Sequence, residues 1–196
     1  MLKALKQEVC RANRELVPQG LVTLTWGNVS GIDRGQGLVV IKPSGVPYDE
    51  LDPSHMVVVD LDGEVVQGDL RPSSDTPTHV LLYREFDWIG GITHTHSRYA
   101  TMFAQARREI PCLGTTHADH FPGTVPIARV LTQEEVEGDY ELHTGHDIVE
   151  RFAELDCRAM PAVLVAGHGP FTWGSDAYEA LHNAVALEAV AHMAYG

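Results

Sequence analysis

Ile92-Thr93-His94-Thr95-His96-Ser97 ends a run, Trp88 to Thr93, that reads as a buried β-strand, and the rest of the chain takes its meaning from this stretch. Side chains alternate between the two faces of an extended chain, so His94 and His96 project from the same side, about 7 Å apart along the backbone. Two imidazoles so placed can converge on one ion. Alone, a His-x-His pair reads as two partly buried, hydrogen-bonded histidines, and the ligand reading needs donors from elsewhere.

Moving upstream, Pro72-Ser73-Ser74-Asp75-Thr76-Pro77 is rich in turn formers and introduces the periodic segment Thr78 to Phe86. Asp75 or Thr76 reads first as a helix cap. Ser73 and Ser74 also offer two hydroxyls beside the unpaired N–H groups of a helix start, which suits an anion. Met56 to Asp60 and Glu64 to Gln67 read as a hairpin. Leu38-Val39-Val40-Ile41 is a β-branched strand that delivers Lys42 into Pro43-Ser44-Gly45, where an ammonium, a hydroxyl and free backbone N–H groups can meet an anion. Trp26-Gly27-Asn28-Val29-Ser30-Gly31 reads as a turn between strands, with Gly27 freeing the backbone and Asn28 able to donate and accept. Leu5, Val9, Ala12 and Leu16 mark an amphipathic opening helix stopped near Pro18-Gln19-Gly20.

Downstream, Ser97 starts a helix from Arg98 to Ala106, and Thr115-Thr116-His117-Ala118-Asp119-His120 forms a titratable loop. Asp119 reads as a solvated acid unless it faces a site. Thr132 to Glu135 and Gly145 to Leu155 suggest helices. Ala162 to Ala166 is a continuous apolar run of the kind found in a central strand, and it stops at Gly167-His168-Gly169-Pro170, which places a third histidine at a strand end. Asp176 to Tyr195 is a long closing helix capped by Ser175 or Asp176, whose His182 and His192 read as packing or surface residues.

The 196 residues, 44% hydrophobic and 21% charged, suit one domain with one sizeable core. A formal charge of −13 excludes a general nucleic-acid surface, which needs an excess of Lys and Arg. Cys10, Cys112 and Cys157 are odd in number and outside any Cys-x-x-Cys spacing, so no disulfide framework or cysteine zinc site is indicated and a reducing compartment fits. With no apolar run long enough to span a bilayer and no signal-peptide core in Met1 to Gly20, the expected location is cytoplasmic.

His94, His96 and His168 at strand ends, with Asp75 in a breaker loop, suit a borderline divalent ion: zinc first, with manganese or cobalt as substitutes. Asn28, Lys42, Ser44, Ser73 and Ser74 supply phosphate-type donors. Together they imply a phosphorylated substrate with an oxygen-rich head.

Six ordered stretches, Thr25-Trp26-Gly27-Asn28-Val29-Ser30, Ile41-Lys42-Pro43-Ser44-Gly45, Pro72-Ser73-Ser74-Asp75-Thr76, His94-Thr95-His96-Ser97, Thr116-His117-Ala118-Asp119 and Ala166-Gly167-His168-Gly169-Pro170, make the chain resemble the class II sugar-phosphate aldolase and epimerase family over essentially its whole length. The resemblance implies an α/β fold, a three-layer α/β/α domain over residues 1–196 with a mainly antiparallel central sheet, assembled as a homotetramer with active sites between neighbouring subunits. It makes His94, His96 and His168 metal ligands and places phosphate on Gly27-Asn28, Ser44-Gly45 and Ser73-Ser74, with Lys42 nearby. Asp75 points to the epimerase branch, where it is a further metal ligand; the fuculose-phosphate aldolases have Glu here. Asp119 becomes the acid/base.

The activity so implied interconverts L-ribulose 5-phosphate and D-xylulose 5-phosphate. In such a ketopentose C4 is not adjacent to the carbonyl, so its proton is not acidic and inversion requires breaking and remaking the C3–C4 bond with Lewis-acid help. Two faces require two proton-transfer groups. The resemblance places the second, a tyrosine of a neighbouring subunit, on a C-terminal tail; Tyr195 does not match that position, and the expected domain lacks the tail. The alternatives are a metal-dependent aldolase that releases its two fragments and a non-catalytic metal-binding homologue.

Overall fold

The computed structural model describes residues 2–196. Seven strands, β1 (Asn28–Asp33), β2 (Leu38–Ile41), β3 (Val57–Asp60), β4 (Val65–Gln67), β5 (Gly91–His94), β6 (Ala162–Leu164) and β7 (Pro170–Gly174), form one sheet of order β4-β3-β2-β1-β5-β7-β6. Every neighbouring pair is antiparallel. Among the described residues, seven α-helices and one 3-10 turn (Pro53–His55) complete the fold: α1 (Lys3–Glu15), α2 (Thr76–Glu85), α3 (Arg98–Gln105), α4 (Thr115–His120), α5 (Gln133–Glu137), α6 (Tyr140–Arg151) and α7 (Ala177–Tyr195). No helix among the described residues is long and apolar enough to cross a membrane.

Strand alternation divides the core into two layers. Val29, Val40 and Val58 pack with Val9 and Ala12 of α1 and with Ala177 and Leu181 of α7. Their sequence neighbours Val39, Val57 and Val59 point the other way, into a cluster with Ile92, Trp173, Val80 of α2, Ala100 of α3 and Ile148 of α6. This is the expected three-layer arrangement. Trp173 is fully buried and donates from Nε1 to the Cys157 carbonyl at 2.7 Å, so its truncation to Ala would cost about 3–5 kcal/mol.

The sheet register is what builds the site. Asn28 of β1 lies opposite His94 of β5, which lies opposite Phe171 of β7, so the three residues form one row across three strands. Gly91 opens β5 because the chain entering α7 crosses it there: a β-carbon at this position would run into the Asp176 backbone.

Several elements differ from their sequence reading. Asn28–Asp33 is a strand rather than part of a turn, and its buried Ser30 is satisfied by His79 Nδ1 at 2.7 Å and the Tyr83 hydroxyl at 2.8 Å. Pro170–Gly174 is a fully buried strand that its Gly-Pro opening conceals. Ala162–Leu164, read as central, is an edge strand; residues 126–128 cover its outer edge, with Leu164 N–H donating to the Pro126 carbonyl at 2.9 Å and Ala128 N–H to the Leu164 carbonyl at 2.8 Å. Thr115–His120 is a short helix rather than a loop, and α6 starts at Tyr140 rather than Gly145. β5 stops at His94, so His96 reaches its partner from beyond the strand and not by strand alternation.

Candidate functional site

His94 leaves the end of β5 buried, its ring stacked on Phe171 at 4.2 Å between centroids. Its Nδ1 lies 2.9 Å from the Pro170 carbonyl. A carbonyl can only accept, so Nδ1 carries the proton and Nε2 presents a lone pair. That lone pair faces His96 Nε2 at 3.1 Å, and His168 Nε2 lies 3.0 Å from the same atom. One nitrogen from each ring thus falls within 4.8 Å of the others. Burial, and then the neighbouring His94 ring, lower the His96 pKa. The same causes, joined by His96, push His168 down to about 3. Three rings that aim nitrogens at one point, with His96 and His168 held against protonation, fit a divalent metal ion, which suits imidazole donors. The Pro170 carbonyl on His94 is the outer partner such a ligand needs to hold its tautomer.

Asp75, the expected fourth ligand, stands beside these rings. Asp75 occupies the cap position of α2, yet its side chain makes no capping hydrogen bond. Oδ2 instead accepts from Asn28 Nδ2 at 2.6 Å, and Asn28 Nδ2 also reaches Ser73 Oγ at 3.0 Å. Burial pushes the Asp75 carboxyl up, but the facing His94 and His79, the Asn28 hydrogen bond and His168 outweigh it and hold the group below its ordinary value. Asp75 therefore faces the histidines as an anion without joining their cluster of converging nitrogens.

A cleft of about 340 Å³ connects this centre to the phosphate-type loops. Ser44 N–H donates to the Arg71 carbonyl at 2.9 Å and Ser73 N–H to the Lys42 carbonyl at 3.0 Å, so the two serine loops are zipped side by side. Lys42 is only 2% exposed, and its Nζ donates to the Pro43 carbonyl at 3.2 Å. Among the described residues no carboxylate lies within 4.0 Å of it. Burial lowers its pKa to about 8. A buried ammonium without a counter-ion is a standing requirement for an anion. Asn28 Oδ1 is likewise buried without a hydrogen-bond partner. Gly27, at φ 89°, closes the wall: a β-carbon there would sit 2.9 Å from the His94 carbonyl oxygen.

Gly27, Asn28, Lys42, Ser44, Gly45, Ser73, Ser74 and Asp75 thus share one cleft with the three histidines. Asp119 does not line this cleft: it is exposed on α4, which His117 ties to the Gly123 carbonyl through Nε2 at 2.8 Å. Trp26, Tyr140 and Glu141 also line the cleft and were not among the expected site residues. Tyr140, 5.7 Å from the His168 ring, and Glu141 sit at the start of α6, and nothing in their local sequence separates them from an ordinary helix start.

A model of the Class II Aldolase and Adducin N-terminal domain matches residues 7–195. The chain belongs to this family. Among curated class II aldolase relatives, L-ribulose-5-phosphate 4-epimerase UlaF of Salmonella typhi is 56% identical over 194 residues, covering 99% of this chain and 85% of the relative. The protein of the same description from Salmonella choleraesuis (strain SC-B67) matches equally. Among solved structures, an L-fuculose 1-phosphate aldolase superposes with a TM-score of 0.81 at 30% identity, covering 97% of this chain and 84% of that one. The L-fuculose-1-phosphate aldolase from Thermus thermophilus gives 0.76 at 25% identity, covering 98% and 94%. The antiparallel sheet flanked by helices is therefore a class II aldolase fold.

Proposed function

We propose that this chain is a zinc-dependent L-ribulose-5-phosphate 4-epimerase, interconverting L-ribulose 5-phosphate and D-xylulose 5-phosphate. The observation that carries the reading is the meeting, in one cleft, of three imidazole nitrogens with a buried, unpaired Lys42 ammonium and the two serine loops. It agrees with the activity named for the relatives at 56% identity, L-ribulose-5-phosphate 4-epimerase. His94, His96 and His168 would hold the ion, with the Asp75 carboxylate as the adjacent negative charge and further ligand; manganese or cobalt would substitute for zinc. When bound, the ion supplies Lewis-acid stabilisation of negative charge on the substrate oxygens.

Lys42, Ser44 and Ser73, with the backbone at Gly27, Gly45 and Ser74, bind the phosphate, and Asn28 Oδ1 accepts from a substrate hydroxyl. Anchoring the phosphate keeps the two-carbon aldehyde fragment in the cleft after C3–C4 cleavage, so it can turn and be re-attacked on its other face. Asp119 takes the proton of the C4 hydroxyl as that bond breaks. Its exposed place on α4, outside its own protomer's cleft, supports delivery to a neighbouring protomer's site, as in a homotetramer with sites between subunits. Inversion at C4 needs a second proton-transfer group on the opposite face, since the re-added aldehyde oxygen is protonated from the other side. In this reading residues 1–196 form a single class II aldolase/epimerase domain of a cytoplasmic enzyme.

The deciding experiment supplies L-ribulose 5-phosphate to the full-length protein with added zinc. Xylulose 5-phosphate is the expected product. Steady accumulation of glycolaldehyde phosphate without xylulose 5-phosphate would make the protein an aldolase, and metal occupancy with no turnover would make it a non-catalytic homologue.

A further inference from the structure

Tyr48 lies outside every helix and strand, 5% exposed, against the cleft-lining residues Trp26, Gly27 and Lys42. Its hydroxyl lies 2.8 Å from the Trp26 carbonyl and 2.8 Å from the Gly27 carbonyl, and shares its one proton between them. Its ring lies beneath Lys42 Nζ, 4.9 Å from the ring centroid. One side chain therefore touches both the ammonium that emerges from β2 and the turn that opens β1.

Each contact has a physical reason to matter. In a trans peptide the C=O and the following N–H point in opposite directions, so fixing the Trp26 and Gly27 carbonyls on Tyr48 turns the Gly27 and Asn28 N–H groups to the other side. Gly27 has φ 89° and no side chain to hold its conformation, so an external clamp decides where that turn lies. The ring solves a different difficulty. A buried ammonium is ordinarily paired with a carboxylate, but a carboxylate beside Lys42 would repel an incoming phosphate. An aromatic face attracts the cation through its quadrupole and leaves the positive charge uncommitted. Burial also raises the Tyr48 pKa, so the phenol stays neutral and adds no competing anion.

We propose that Tyr48 is a positioning residue for substrate phosphate, its ring holding the Lys42 ammonium and its hydroxyl fixing the Trp26-Gly27 turn. The inference rests on the reading of this end of the cleft as the phosphate site. Tyr48→Phe keeps the ring and deletes the clamp; Tyr48→Leu deletes both.

The test is calorimetric titration of the metal-loaded, full-length protein with inorganic phosphate, together with KM and kcat for L-ribulose 5-phosphate and metal content. Tyr48→Phe should weaken phosphate about fivefold, the worth of one hydrogen bond. Tyr48→Leu should weaken it about twentyfold. In both the loss falls on KM, with kcat kept within about twofold and the metal retained. Unchanged phosphate affinity in Tyr48→Phe and Tyr48→Leu overturns the inference, as does a fall in kcat and metal content at constant phosphate affinity. If Tyr48→Leu fails to fold, the near-isosteric Tyr48→Phe decides. Lys42→Met in the same titration separates the two levels: unchanged phosphate binding there removes the phosphate-site reading itself, whereas a weakened Lys42→Met beside unchanged Tyr48 variants overturns only the role of Tyr48.

Discussion

Replacing Lys42 with Met removes a charge that the fold buries without a counter-ion, at nearly constant side-chain length. Burial lowers the ammonium pKa from 10.5 to about 8. The unfolded chain therefore holds that proton more tightly than the folded one, by roughly 3 kcal/mol. Below pH 8 the fold bears this cost in full. Between pH 8 and 10.5 the unfolded state binds more protons than the folded state, so the stability of the ligand-free protein rises with pH across that window. Lys42→Met has no such dependence. At pH 7 it should be more stable than the wild type by about 2 kcal/mol, after the lost contact between the ammonium and the Tyr48 ring is subtracted. For a domain of this size that is about 4–8 °C in melting temperature. The same variant loses a charge-assisted bond to phosphate, of about 1.5–3 kcal/mol, so KM should rise between about tenfold and 150-fold. Thermal unfolding of the ligand-free protein from pH 6 to 10.5, beside steady-state kinetics, reads both effects. A Lys42→Met protein that melts lower than wild type at pH 7 and keeps its KM would refute the reasoning at both ends.

Three further substitutions address other parts of the molecule. His96→Asn removes the nitrogen that stands about 3 Å from both other rings, so metal affinity should fall by at least about a hundredfold, with activity falling in step, by metal analysis after dialysis. Asp119→Asn should retain the metal and lose epimerisation by about 10²–10⁴, measured as xylulose 5-phosphate formed; full activity would remove Asp119 from the proton-transfer role. Asp147 is buried with Oδ2 unpartnered, and burial raises its pKa from 3.8 to about 6 against the opposing pull of Arg129. The folded state binds the extra proton in that window, so this carboxyl lowers stability as pH rises through it. Asp147→Asn keeps an acceptor for the Arg129 backbone N–H and should melt above wild type at pH 7, with the difference vanishing near pH 4.

Elements whose cause is local were legible in the sequence. The four-three-four spacing of α1, the β-branched run of β2 and the Asp176 cap of α7, which accepts from Glu179 N–H at 2.8 Å, each carry their reason within a few residues. β1 did not, because the polar Ser30 that weakens its strand pattern is satisfied only by His79 and Tyr83, 49 and 53 residues away. The edge position of β6 was hidden for the same reason: an apolar run reports burial on both faces, and here a separate segment, residues 126–128, covers the open edge. Asp75 shows the limit within the site. Its sequence position is that of a helix cap, and only the approach of β1 to α2 turns its carboxylate onto Asn28 instead.

The donor inventory was readable from the residues alone: three histidines at or near strand ends, a lysine and paired serines beside turns, and an acid before α2. These are chemical identities placed at breaks in regular structure, where side chains are free to serve a ligand. Which of them meet depends on strand pairing between distant segments. His168 reaches His96 across 72 residues of chain because β7 returns beside β5, and Asn28 lies opposite His94 because β1 pairs on the other side. Tyr48 carries no local mark, since its hydroxyl meets the Trp26 and Gly27 carbonyls only through the tertiary fold, and Tyr140 and Glu141 reach the cleft only through the packing of α6.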